Sequence, residues 1–181
     1  KQISNTNYLS TTVVNDLNYT SNDFISKLWF KNNFDLYFKN LNAVGKNDSI
    51  YTSDAQIDGM SILKIDSSFP LLKSKNMIKE TLTPKISFRI NPGNNMDNYS
   101  GSSANINTNN VFGINRLGLS NDFEAGRSLT FGLDYKLDQL ENNQSEDTKD
   151  KYLELKLATV IRDQNENDIP INSTINKKSS D

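Results

Sequence analysis

From Leu82 to Asn91 every second residue is apolar: Leu82, Pro84, Ile86, Phe88 and Ile90 alternate with Thr83, Lys85, Ser87, Arg89 and Asn91. Successive side chains of an extended chain point to opposite sides, so a period of two builds a strand with one apolar and one polar face. A helix would scatter the same residues around its cylinder. Ser128–Leu137 repeats the pattern, with Leu129, Phe131, Leu133, Tyr135 and Leu137 on one side and Ser128, Thr130, Gly132, Asp134 and Lys136 on the other. In Leu153–Ile161 the residues Leu153, Leu155, Leu157 and Ile161 alternate with Glu154, Lys156, Ala158 and Val160.

A longer run covers Phe24–Leu41, where Phe24, Leu28, Phe30, Phe34, Leu36 and Phe38 share one parity. Lys27, Lys31, Asn33, Asp35 and Lys39 share the other, and the single tryptophan, Trp29, falls on this polar parity near mid-run. Weaker alternation marks Leu9–Tyr19 and Ile57–Phe69. The expected fold is therefore all-β, an antiparallel meander of about six strands, with a seventh starting near the C-terminus. Connections alternate in length. Thr20–Asp23 is short, while Asn42–Gln56 and Asn91 to about Arg127 are long and rich in Asn, Ser, Asp and Gly; Pro70–Lys79 and Asp138–Asp150 are intermediate, and a long stretch follows Asp163. Long strands joined by short turns at one end and long polar loops at the other are the habit of transmembrane β-barrels, whose strands need roughly 9–11 residues to cross the hydrocarbon. A soluble two-layer sheet is the competing architecture. The expectation is a barrel segment, with residues 1–181 forming part of one barrel domain that is incomplete at both ends.

Composition removes whole classes of chemistry. Without histidine there is no imidazole base or metal ligand, and without cysteine no disulfide, thiolate site or thiol nucleophile. A net charge of −2 argues against a nucleic-acid binder. No run of 18 apolar residues offers a membrane-spanning helix. Asp163–Asp168 is dense in oxygen ligands, but Asp168 and Thr174 stand where a calcium loop wants Gly and Glu. The carboxylates Asp122 and Glu124 fit a loop or strand-cap role better than acid–base catalysis, and no enzymatic activity or cofactor is expected.

Two stretches taken together resemble a known family. The first is Leu82-Thr83-Pro84-Lys85 opening a strand that ends at Asn91-Pro92; the second runs from Asn110 to Leu133 and contains Asn110-x-Phe112, Arg116-x-Gly118, the acids Asp122 and Glu124, and Gly126-Arg127-x-Leu129-x-x-Gly132. Their order and spacing resemble the C-terminal barrel of the LPS-assembly protein family (LptD, also called OstA), and Ile169-Pro170-Ile171-Asn172 resembles the family's lead into a further strand. The resemblance spans roughly residues 24–181. It implies an outer-membrane barrel of a Gram-negative bacterium that inserts lipopolysaccharide into the outer leaflet around an LptE-like lipoprotein plug. The family's periplasmic domain and its first and last strands have no counterpart in this stretch.

On that reading the apolar strand faces meet outer-membrane lipid, and the polar faces carry Lys27, Lys31, Lys39, Lys85, Arg89 and Lys136 into a lumen, in reach of lipopolysaccharide or the plug. For any one of these cations taken singly, a merely hydrated barrel interior is the favoured account. The alternatives are another outer-membrane barrel, porin or gated transporter, and a soluble carbohydrate-binding or adhesin-like β-domain.

Overall fold

The computed structural model describes residues 8–48, 51–75, 77–93, 105–118, 123–139, 150–167 and 169–179. They form one antiparallel sheet with no helix among the described residues. Six long strands follow one another as a meander: β1 (Leu9–Thr20), β3 (Lys31–Lys46), β4 (Gln56–Ser68), β6 (Ile78–Asn91), β7 (Gly126–Gln139) and β8 (Asp150–Arg162). Two short strands, β2 (Phe24–Ile25) on β3 and β5 (Leu71–Lys75) on β6, fill the turns at one end. The sheet is open, with β1 and β8 as its edges.

Three sequence expectations need correction. Phe24–Leu41 is not one strand. Ser26 N–H donates to Phe30 O and Trp29 N–H to Ser26 O, each at 2.9 Å, so the chain reverses between β2 and β3. The parity counted across that turn has no meaning, and Lys27 and Trp29 lie at a hairpin tip instead of mid-strand. Pro70–Lys79 is not simply a connection, because Leu71–Lys75 pairs with Ile78–Leu82. The seventh strand expected near the C-terminus is absent among the described residues after Arg162; that polar stretch lies over the sheet instead.

Register turns alternation into two unlike surfaces. Phe34, Ile65, Phe88, Leu129 and Ile161 are successive partners across five strands. One residue along, Asp35, Lys64, Arg89, Ser128 and Arg162 form the neighbouring row on the opposite face. The first face is apolar and uncovered: Leu17, Phe38, Ile57, Phe131, Leu155 and Leu157 are all exposed. Its apolar band also runs obliquely to the hydrogen-bonded rows. Tyr19, the last apolar residue at the turn end of β1, is level with Leu36, Leu63 and Ile90, and Ile90 is the last apolar residue at the opposite end of β6. On β7 the same row has already passed beyond the band to Arg127.

The second face is roofed over half its length. Residues 105–118 and 163–179, both from the long-connection end, fold back onto it and bury Ile106, Val111, Leu117 and Ile169 against Ala158 and Val160 of β8. Met60 and Ile62 of β4 bury with Phe123, whose ring lies 4.9 Å from that of Tyr37. Gly132 provides the space for this roof. A Cβ there would sit 2.4 Å from Phe112 Cζ, so the absent side chain is what lets the loop reach the sheet. Gly126, at φ +78, turns the chain out of the roof into β7, and a Cβ there would also meet Asp163 and Gln164.

Gly132→Val should lift Phe112 off the sheet and expose residues 105–118 to protease, whereas Gly132→Val with Phe112→Ala should restore most of the protection. Equal cleavage in wild type and Gly132→Val would contradict the packing described.

Candidate functional site

The chemistry-bearing side chains collect on the second face, because strand parity sends them there together. Only four arginines occur against sixteen lysines, and three of them, Arg89 from β6, Arg116 from the roof and Arg162 from β8, meet at Glu124. Arg116 and Glu124 are both 2 % exposed at the side chain. Arg116 Nη2 donates to Glu124 Oε1 at 3.1 Å and to Ser128 Oγ at 3.0 Å, Nη1 donates to Thr130 Oγ1 at 3.3 Å, and Nε pairs with Oε2. Arg162 Nη1 approaches Glu124 Oε1 at 3.4 Å. Arg89 Nη1 and Asn91 Nδ2 donate to the Glu124 carbonyl at 2.8 and 3.0 Å. Arg89 Nε holds the Ile114 carbonyl at 3.0 Å, and Arg162 reaches the carbonyls of Asn176 and Lys178.

Planar guanidinium forks suit this many fixed acceptors better than a lysine point charge would. Burial, the largest influence on Glu124, pushes its carboxyl upward, but the charge and hydrogen bonds of Arg116, with Arg89 and Arg162, outweigh it and hold the group below its ordinary value. At the exposed rim Asp163 accepts from Arg127 N–H at 2.7 Å and Nε at 2.9 Å, which lowers its pKa.

The other half of the face is open and polar. Lys64 pairs with Asp35 at 2.9 Å and Asp66 at 2.7 Å and donates to the Phe112 carbonyl at 3.0 Å. Below Phe112 lies a cavity of about 210 Å³, bounded by Asp23, Lys31, Asn33, Asp66 and Lys85.

Of the six cations singled out in the sequence, Lys31, Lys39, Lys85, Arg89 and Lys136 share this face. Lys31 pairs with Asp23 at 2.7 Å, Lys39 with Asp16 at 3.3 Å, Lys136 with Asp138 at 2.9 Å, and Lys85 with Asp134. Lys85 also lies 5.7 Å from the Phe112 ring centroid. Lys27 stands apart in the turn between β2 and β3. Sequence reasoning passed over Lys64 and Arg162, and it named Arg116 and Glu124 in the resembling run without finding that they pair. The convergence of scarce arginines was the available signal. Asp122 and Asp168 lie outside the described residues. No group of carboxylates among the described residues is arranged to hold a metal ion.

No family model matches the chain, and no curated protein or solved structure matches it either.

Removing one partner of a buried pair leaves the other charge uncompensated, which typically costs about 3–5 kcal/mol. Glu124→Leu or Arg116→Met should therefore strongly destabilise the roof in urea titrations read by cleavage within residues 105–118. The double variant Arg116→Met/Glu124→Leu should recover much of that loss. Because Glu124 is depressed in the folded state, its contribution is present above the ordinary carboxylate pKa and is lost as pH falls through the lower folded value. Roof release on acidification should disappear in the double variant.

Proposed function

We propose that this chain is a wall segment of a transmembrane β-barrel in the outer membrane of a Gram-negative bacterium, part of the machinery that inserts lipopolysaccharide into the outer leaflet. The observation that carries the reading is the contrast of the two faces. An uncovered apolar face extends over six strands, while the polar face is roofed by the chain's own connections. In water such a face needs a second protein layer, whereas lipid hydrocarbon solvates it directly and the sheet's pairing satisfies the backbone. The oblique band agrees with this, because barrel strands tilt by roughly 35–45° and a membrane of constant thickness then cuts across hydrogen-bonded rows. All six long strands have 12 or more residues, enough to cross at that tilt.

The lipopolysaccharide part of the proposal rests on the resemblance to the LPS-assembly family. Phe112, Arg116, Glu124, Gly126 and Gly132 of the resembling run are the residues that dock the long connection, so the pattern corresponds to one working unit. In the proposed barrel, Lys31, Lys85 and Lys136 stand in the open half of the lumen, where an anionic headgroup or an LptE-like lipoprotein plug would meet them. Lys39 and Arg89 lie under the roof and act on the protein itself. The chain guides a lipid and catalyses no covalent step.

Leu133→Arg, at the middle of the apolar band on β7, should destabilise the membrane-inserted protein by about 2–4 kcal/mol, and Ile57→Arg near the rim by about 0–1 kcal/mol. Recovery of the full-length protein in the aqueous fraction, with electrophoretic mobility unchanged by heating, would defeat the barrel reading. If the protein is instead membrane-inserted, co-purification of a lipoprotein plug and cross-linking of lipopolysaccharide to residue 85 are expected, and their absence would leave a porin-like or gated barrel.

A further inference from the structure

We infer that the sheet opens along the line between β4 and β6, pivoting at Phe69–Pro70, with the roof as its latch. Such opening is independent of whether lipid or a protein layer covers the apolar face, so it stands apart from the proposed function. In a barrel wall it is where the lumen widens.

Backbone pairing divides the sheet at this line. β1 pairs with β3 from Leu9 to Thr20, β3 with β4 from Lys31 to Ala43, β6 with β7 from Ile78 to Asn91, and β7 with β8 from Ser128 to Gln139. Between β4 and β6 the ladder covers only Leu63–Ser68 against Lys85–Ile90, extended by Phe69 N–H donating to the Pro84 carbonyl at 3.0 Å. Before Leu63 the rest of β4 has no strand on that side among the described residues. There the apolar face holds a cavity of about 350 Å³, whose walls include Phe38, Ser61, Leu63, Ile90 and Pro92.

Side chains divide the sheet at the same line. Every ion pair between described residues lies within residues 8–69 or within residues 70–179. Lys85 has an acid diagonal to it on each side, Asp66 on β4 and Asp134 on β7, and it pairs with Asp134. Asp66 pairs instead with Lys64 on its own strand. Lys64 and Arg89 are direct partners in the short ladder, and like charges so placed repel.

On the polar face the roof side reaches across. Lys64 donates to the Phe112 carbonyl at 3.0 Å, and Phe123 packs on Met60 and Ile62 with its ring 4.9 Å from that of Tyr37. Gly93, two residues past β6, lies beside Met60. Phe112 and Phe123 are themselves anchored on the β6–β8 side, through Gly132 and through the neighbouring Arg116–Glu124 pair. At the other end Phe69–Pro70 joins β4 covalently to β5, which pairs with β6. One end of the line is tied by the chain and the other by a few separable contacts, which is the construction of a hinge with a catch. Local opening is drawn from such places, where few bonds need to break.

The chain has no cysteine, so an introduced disulfide has no competitor. Ser67 and Ile86 are direct partners across the junction, and Ser67→Cys/Ile86→Cys staples it. Amide hydrogen exchange is followed in the full-length protein in detergent. It is read at the amides of Leu63–Ser68 and Lys85–Ile90 that donate across the junction, and at those of Leu129–Leu133 in β7. Phe123→Ala and Tyr37→Leu remove one contact from its two sides. Each should speed exchange across the junction by about tenfold and leave Leu129–Leu133 unchanged. Tyr37→Phe, which keeps the ring, should have no effect. Oxidising the staple in Phe123→Ala should return exchange to the wild-type rate, and reduction should release it again. No acceleration across the junction, equal acceleration over Leu129–Leu133 in both variants, or acceleration that survives the staple would overturn the inference.

Discussion

Two rows of partners, Phe34–Ile65–Phe88–Leu129–Ile161 and Asp35–Lys64–Arg89–Ser128–Arg162, lie a single residue apart, and the rest of the molecule depends on that offset. A slip of one residue in any of these five strands would carry a phenylalanine or leucine onto the polar face and a lysine or arginine onto the apolar one. Each such exchange strands a charge in apolar surroundings or removes an anchor from the roof. The register is thus enforced from both faces, which suits a sheet whose strands have no second layer to hold them.

The roof is a different kind of construction. Its apolar residues form two small clusters and not one core, so burial contributes little compared with a layer under a complete sheet. Polar anchoring supplies the remainder. Lys64, Arg89 and Arg162 reach up from the strands to the carbonyls of Phe112, Ile114 and Lys178, while Arg116 reaches down to Ser128 and Thr130. Buried pairs such as Arg116–Glu124 are poor sources of net stability against apolar replacements, but they are strict about geometry. The connection is held in one place more than it is held tightly.

The strands were legible because alternation is a local property of the chain: Leu82–Asn91, Ser128–Leu137 and Leu153–Ile161 all fall inside β6, β7 and β8. Alternation failed where parity was carried through an unrecognised turn. Ser26–Phe30 contains neither Gly nor Pro, and its left-handed position is occupied by Trp29, so nothing in the composition announced a reversal. The cations of the polar face were readable as a set, but their partners were not. Asp16 for Lys39 and Glu124 for Arg89 come from other strands or loops, and only long-range pairing brings them together. Gly132 was visible in the strand interior from the beginning. A glycine at such a position marks the close approach of another segment, and here that segment is Phe112.

Pairing is uneven across the sheet. β4 meets β6 only over Leu63–Ser68 against Lys85–Ile90: at one end β6 stops at Asn91, short of Gln56–Ile62, and at the other β5 takes over at Leu71, with Pro84, which has no N–H to give, facing the break. β3–β4 and β6–β7, on either side, are paired along nearly their whole lengths. The roof crosses this short seam: Lys64 on one side holds the Phe112 carbonyl and Arg89 on the other holds that of Ile114. What covers the polar face is therefore also a splint, joining two three-stranded panels at the line where the backbone alone would part first.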